Sequence, residues 1–323
     1  MRAFVTGGAG FIGSHIVDEL VRRNYDVVVY DNLSTGFQKH LRSGPAQNRA
    51  RLIVGDILDY DKLVRSMKDV DVVFHLAANA DVRGGKANTR IDLKQNVIGA
   101  HNVLEALRLN HVPELVFTSS ATVYGEPDVF PTPETYAPLQ TSLYGASKLA
   151  AEAMIQAYSE YFGIRSYMFR FVSWIGERYS HGVVYDFVKK LKANPSELEI
   201  LGDGNQRKSY LYVQDGVEGI FLALQNIREP KNVLNLGHKD FMNVKRLASL
   251  VVEEMELKDV KFRFTGGERG WVGDSPFVHL DISKIGSVGF KPRITIEEGV
   301  RRTTRYLLEN EWLLESRPVG LTG

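Results

Sequence analysis

The sequence predicts an α/β protein: a Rossmann-type doubly wound parallel sheet, followed by a smaller C-terminal α/β substrate-binding lobe. Three observations carry this. The apolar run Ala3-Phe4-Val5-Thr6 ends in three glycines, Gly7, Gly10 and Gly13, and an amphipathic segment follows. Short apolar runs then alternate with helical patterns as far as Phe171, as expected of parallel strands joined by helices. From about Trp174 shorter pieces take over, separated by turns such as Leu201-Gly202-Asp203-Gly204 and Gly266-Gly267-Glu268-Arg269-Gly270. The domains are therefore placed at 1–173 and 174–323, with some later segments returning to the sheet.

In the opening strand, turn and helix, each glycine has a separate use. One makes the turn, one lets backbone approach a pyrophosphate, and one lets the helix pack on the strand. The N–H groups and positive end of the helix then favour phosphate. A second strand, Asp26 to Tyr30, delivers Asp31-Asn32 about 20 residues after the glycines, where a ribose-binding carboxylate belongs. A polar loop from Asn32 to Arg49, containing Ser34-Thr35-Gly36 and Gly44-Pro45, leads to a short strand at Arg51–Val54 and to Gly55-Asp56-Ile57. Asp59 caps the next helix, which carries Leu63, Val64 and Met67. A buried strand from Val70 to Leu76 ends in Ala77-Ala78, and a long helix is expected from about Asp92 to Leu109. The strand Leu115–Thr118 runs into Ser119-Ser120, a second long helix spans Leu143–Phe162, and Arg165–Phe171 is the sixth strand. Later helices are expected near Val213–Gln225, Val244–Glu256 and Ile296–Leu314. No internal repeat interrupts this plan.

The 323 residues suffice for one large or two modest domains. A formal net charge of +1 gives no handle to nucleic acid or an acidic membrane. Cysteine is absent, which excludes disulfides, thiolate catalysis and cysteine metal sites, and fits a cytoplasmic enzyme. The chain enters its first strand without a charged and apolar leader, and no apolar run reaches membrane-spanning length. A soluble protein with no membrane partner is expected. No His/Asp/Glu spacing suggests a metal, and His181 is assigned no role.

Tyr144-Gly145-Ala146-Ser147-Lys148 places a phenol and an ammonium four residues apart, on one helix face. Taken alone, such a pair is an ordinary surface contact. After a dinucleotide fingerprint it reads as catalytic. The ammonium, with a cationic nicotinamide nearby, would favour phenolate and lower the tyrosine from its usual pKa of about 10. Tyr144 is then a usable general base near neutral pH.

Taken together, Thr6-Gly7-Gly8-Ala9-Gly10-Phe11-Ile12-Gly13, Gly55-Asp56-Ile57, His75-Leu76-Ala77-Ala78, Asn96-Val97-Ile98-Gly99, Ser119-Ser120-Ala121-Thr122-Val123-Tyr124-Gly125 and the Tyr144/Lys148 pair resemble a known family. It is the extended short-chain dehydrogenase/reductases of the NAD-dependent nucleotide-sugar epimerase/dehydratase group, and the chain is most like the UDP-glucose 4-epimerases over almost its whole length. The resemblance implies that Gly7, Gly10, Phe11, Ile12 and Gly13 cradle the NAD pyrophosphate. Asp31 would hold the adenosine ribose, with Asn32 and Ser34 near it, and Asp56 and Ile57 would flank the adenine. Leu76, Ala77 and Ala78 would line the cofactor cleft, with Asn96 nearby. Lys148 would bind the nicotinamide ribose and tune Tyr144, while Ser120 would hydrogen-bond the reacting sugar hydroxyl.

The choice of reaction turns on Ala121-Thr122. Related 4,6-dehydratases carry an Asp-Glu pair just after the hydroxyl residue, which supplies acid and base for water loss. Neither position here is a carboxylate. Epimerisation at C4 of a nucleotide-linked hexose, of the UDP-glucose/UDP-galactose type, needs one base and a reversible hydride acceptor. The alternatives are another nucleotide-sugar reaction on the same scaffold (dehydratase, decarboxylase or reductase) and an NAD-sensing binding protein. The intact Ser120/Tyr144/Lys148 set argues against the last.

The substrate half departs from the family's pattern. Ser173 stands where epimerases usually have Asn. Lys208 and Ser209 stand where an Arg-Asp pair is usual, and Arg269 is displaced by two residues. The resemblance implies that Ser120, Tyr144, Ser173, Val183, Lys208 and Arg269 contact the substrate, a UDP-hexose. It also implies a homodimer joined by the two long helices, to which Leu149, Met154 and Ile155 would contribute apolar surface.

Overall fold

The computed structural model describes residues 1–42, 46–47 and 49–316. The Gly44-Pro45 turn lies outside the described residues. Seven strands build the main sheet: β1 (Arg2–Thr6), β2 (Asp26–Asp31), β3 (Ala50–Val54), β4 (Val72–His75), β5 (Glu114–Ser120), β6 (Arg165–Phe171) and β7 (Lys231–Leu236). Their order across the sheet is β7-β6-β5-β4-β1-β2-β3. β1 pairs in parallel with both β2 and β4, β2 with β3, and β4 with β5. Strand order reverses beside β1, the place where open α/β sheets bind ligands. β1 and β2 are apolar on both faces and buried from Ala3 to Thr6 and from Val27 to Asp31, as strands covered on two sides must be.

The principal connecting helices of this half are α1 (Phe11–Arg22), α2 (Tyr60–Ser66), α3 (Gly99–Leu109) and α4 (Leu143–Phe162). Asp59 caps α2 as expected, accepting from the Lys62 amide. The helix expected from Asp92 to Leu109 is not continuous. A turn of α-helix at Thr89–Asp92 passes into a π-helical stretch, Leu93–Ile98, before α3 begins. Side-chain periodicity cannot register that extra width, because the apolar positions shift by less than one residue over a single turn. Leu104 and Leu107 of α3, Ala151 and Ile155 of α4, and Phe117 of β5 join one buried cluster.

The chain divides into two compact, interleaved units. The first comprises 1–123, 143–170 and 223–234; the second comprises 124–142, 171–222 and 235–323, described here as far as residue 316. In the second, Ser173–Ile175 pairs in parallel with Tyr210–Tyr212, and Met242–Asn243, Arg207–Lys208 and Phe277–Val278 form a three-stranded patch. The helix near residue 244 ends at Glu254, and the last long helix runs Ile296–Glu309 before breaking at Asn310-Glu311. Among the described residues no helix is long and apolar enough to cross a membrane.

Candidate active site

Within the first unit, the glycine turn closes β1 onto α1. Gly7 holds a left-handed backbone (φ 70°), and a Cβ there would lie 2.7 Å from the Ala77 amide nitrogen. The turn is thus pressed against the end of β4. A Cβ on Gly13 would lie 2.1 Å from the Gly7 carbonyl oxygen and 2.8 Å from Gly8 Cα, so α1 begins hard against the turn. Gly10 is different: its Cβ would meet only that carbonyl oxygen, at 3.2 Å. Gly10 caps α1 without a side chain, and the first turn of α1 carries no acidic residue. A helix start of this kind presents N–H groups and a positive end to whatever lies before it. A pyrophosphate fits this cradle. Phe11 beside it is buried, edge-on to His15 at 6.0 Å, while Ile12 is half-buried.

Asp31 ends β2. Its Oδ2 accepts from the Ala9 amide at 2.9 Å and its Oδ1 from the Leu33 amide at 2.8 Å. Burial raises the carboxyl above its ordinary range, and the two N–H bonds work the other way. A carboxylate has about four acceptor positions, so lone pairs are left for a ribose diol. Asn32 accepts from the Ser34 amide and hydroxyl through Oδ1, and donates to Asp56 Oδ2 at 2.9 Å. These four polar side chains therefore gather at the ends of β2 and β3. Ile57 is spent differently: it is buried in the core, with Cδ1 where a Gly99 side chain would be. Leu76, Ala77 and Ala78 follow β4, half-buried, and the Ala77 amide donates to Thr6 Oγ1 at 3.3 Å.

Asn96 sits in the π-helical stretch. It accepts from the Asn79 amide at 2.8 Å and donates to Ser147 Oγ at 2.9 Å and to Asp92 Oδ1 at 3.3 Å. Ser147 in turn donates to the Tyr144 carbonyl, so Asn96 steadies the start of α4.

Ser120, Tyr144 and Lys148 come together. Ser120 Oγ accepts from the Thr122 amide at 3.2 Å and from its hydroxyl at 2.9 Å, and hydrogen-bonds the Tyr144 phenol. Lys148 is buried; its Nζ donates to the Thr118 carbonyl at 3.0 Å and lies 5.9 Å from the Tyr144 ring centre. Burial pulls Lys148 down to about 8, against the attraction of Glu152 and Asp92. The phenol does not follow the sequence-based expectation. Burial, with Asp92 adding to it, holds Tyr144 well above its ordinary value, and the bond from Ser120 only partly opposes this. The protein's own groups thus keep the phenol protonated. Asp92 and Glu152 are the polar neighbours that sequence reasoning missed. For Glu152 a signal existed, since it extends the Tyr144–Lys148 spacing by four more residues.

In the second unit, Ser173 is exposed and lies in register with Tyr210. Val183 opens a helix, Val183–Ala193, after Gly182. Lys208 is neutralised, its Nζ bonded to the buried Asp274 at 2.6 Å and to the Ser275 carbonyl. Arg269 pairs with Glu126. Among the described residues no cluster of three metal-ligating side chains occurs.

The family model described as the NAD dependent epimerase/dehydratase family matches residues 3–237. A putative UDP-glucose 4-epimerase of Methanocaldococcus jannaschii is 36% identical over 312 residues, covering 95% of this chain and 98% of that protein. The crystal structure of a UDP-galactose 4-epimerase is similar with a TM-score of 0.87 at 41% identity, covering 97% of this chain and 100% of that one. A dTDP-glucose 4,6-dehydratase of Streptomyces venezuelae, solved with NAD, has a TM-score of 0.89 at 27% identity, covering 97% and 98%.

Proposed function

Because this chain belongs to the NAD dependent epimerase/dehydratase family, we propose that it is an NAD-dependent isomerase that inverts C4 of a UDP-hexose, interconverting UDP-glucose and UDP-galactose. The similar fold of a dehydratase means that the choice of reaction rests on side chains. The observation that carries it is the Ser120/Tyr144/Lys148 set, with Ala121 and Thr122 beside it where an elimination would need a carboxylate pair. Thr122 spends its hydroxyl on Ser120, which orients that serine toward the phenol.

NAD, when bound, supplies the acceptor and later the donor of the C4 hydride. Gly7, Gly10, Phe11, Ile12 and Gly13 would hold its pyrophosphate, Asp31 with Asn32 and Ser34 its adenosine ribose, and Asp56 the adenine edge. Lys148 would bind the nicotinamide ribose. Tyr144 takes the proton of the 4-hydroxyl as phenolate, and Ser120 hydrogen-bonds the same oxygen. When the keto sugar has turned over, Tyr144 returns the proton. An uncharged environment would leave the phenol too weak an acid for this. Lys148 would favour phenolate from one turn along α4, and the positive charge of a bound nicotinamide would add to it.

Ser173, Val183, Lys208 and Arg269 are assigned to the nucleotide sugar. Lys208 would meet phosphate as a point charge, without the bidentate geometry of arginine, once its partner Asp274 is shared. The reading includes a cytoplasmic homodimer. Of the apolar residues assigned to its interface, Ile155 is in the core and Met154 packs against it. Tyr161 and Phe162 of α4 and Leu109 of α3 are exposed, and are better placed to meet a partner. The test is a panel of UDP-sugars incubated without added NAD, with products resolved by NMR. UDP-galactose from UDP-glucose is expected; net NADH formation or loss of water would refute the assignment.

A further inference from the structure

Glu152 lies one helical turn beyond Lys148, and it is wholly buried. Its Oε1 accepts from Ser119 Oγ at 2.5 Å and from Arg170 Nε at 3.1 Å; its Oε2 accepts from Arg170 Nη2 at 2.7 Å. Arg170 is also buried. Ser119 is the residue before Ser120 near the end of β5, and Arg170 stands at the end of β6. One carboxylate therefore joins three elements. Two of them carry Ser120, Tyr144 and Lys148. A buried ion pair is a poor way to gain stability, because apolar residues of the same volume usually hold a core as well or better. Fixed geometry and charge are what such a pair supplies that they cannot.

We propose that Glu152, clamped by Arg170 and Ser119, is a positioning residue for the reaction: it sets Ser120 against Tyr144 and presents negative charge to Lys148. The inference rests on the reading of Ser120, Tyr144 and Lys148 as the reacting set.

The surroundings of Lys148 give the clamp a measurable consequence. From its own helix Lys148 faces Glu152 and Tyr144, and from Thr89–Asp92 it faces Asp92. From β4 it faces His75, which burial pushes down to about 3 and so leaves uncharged at working pH. Arg170 on β6 reaches this group through Glu152. The two carboxylates raise Lys148 against the burial that lowers it. Removing the charge of Glu152 lets Lys148 fall further and takes the carboxylate away from the Arg170 guanidinium. An activity that needs the Lys148 ammonium is then lost at lower pH on the alkaline side.

The test compares wild type, Glu152→Gln, the double variant Glu152→Met/Arg170→Met, and Tyr144→Phe in the holoenzyme. Each is followed by kcat and KM across pH, bound NAD and melting temperature. Glu152→Gln is expected to keep KM and bound NAD, lower kcat about tenfold and move the alkaline limb down by about one pH unit. The double variant is expected to melt at or above wild type and still show the loss in kcat. A stable double variant with full kcat and an unmoved limb overturns the proposal. So does a kcat that falls only in step with melting temperature. Should Tyr144→Phe itself turn over normally, the underlying assignment fails instead, and the clamp with it.

Discussion

Gly10 and Gly13 belong to one motif, yet the geometry separates what each does. A methyl group on Gly13 would sit 2.1 Å from the Gly7 carbonyl oxygen, more than 1 Å inside the ordinary contact of 3.4 Å, and its neighbours are backbone. Neither α1 nor the turn can yield without moving β1 or the end of β4. Gly13→Ala is expected to cost about 3 kcal/mol or more, the upper range of overpacking. A methyl on Gly10 meets a single atom at 3.2 Å, and the backbone there (φ −75°, ψ −178°) suits alanine. The weaker alanine cap costs about 0.5–1 kcal/mol, and the stiffer unfolded chain returns about as much. Gly10→Ala should therefore melt within a few degrees of wild type. It should nevertheless bind NAD poorly, because the methyl occupies the cradle. Affinity would fall at least tenfold. Paired thermal melts and NAD titrations of protein stripped of cofactor decide this. Equal destabilisation by the two substitutions, or unchanged affinity in Gly10→Ala, would refute the division of labour.

Tyr144→Phe should lower turnover about 10²–10⁴-fold with NAD still bound, since the ring stays and only the proton acceptor goes; measurable interconversion at the wild-type rate would remove Tyr144 as base. Lys148 is buried with its pKa lowered from 10.5 to about 8, so the folded state holds this ammonium at a cost on the order of 3 kcal/mol at neutral pH. Lys148→Met should accordingly inactivate the protein yet raise its melting temperature. That gain is full below about pH 8 and fades as pH rises toward 10.5, where the unfolded chain also loses the proton. A variant less stable than wild type at pH 7 would contradict this. NAD should bind about tenfold or more tighter than NADP, because Asp31 repels a 2′-phosphate and Asn32, Leu33 and Ser34 bring no cation; isothermal titration giving equal affinities would count against it. Light scattering at micromolar concentration should give a dimer, and Tyr161→Glu should weaken it.

Six of the seven strands of the main sheet were legible because each is a short apolar run ended by a turn, whereas β7 (Lys231–Leu236) was not singled out; α4 emerges with the bounds Leu143–Phe162 that its pattern implied. Gly7, Gly13, Asp31, Tyr144 and Lys148 stand out in the sequence by spacing, and Ser120 by the resemblance to the family. Local spacing carries no record of partners distant in sequence. Asp274 neutralises Lys208 from 66 residues away, and Arg170 meets Glu152 from the next strand. The raised phenol of Tyr144 is of the same kind, since burial and Asp92 set it rather than the lysine one turn along. Nor could a pattern change at Trp174 reveal that both compact units are assembled from three pieces each.

That assembly has a cost during synthesis. β7 covers the outer side of β6 but is encoded about 60 residues later, after the chain has gone on to build part of the second unit. At ~5–20 residues per second, the ribosome needs ~3–12 s to supply it. Throughout that interval β6 is an open edge lined by Tyr167, Met168 and Phe169, all wholly buried in the finished protein. An open, apolar edge is a template for pairing with other chains. The nascent protein thus passes through a window in which a chaperone, or its own neighbours on the polysome, can occupy the place kept for Lys231–Leu236.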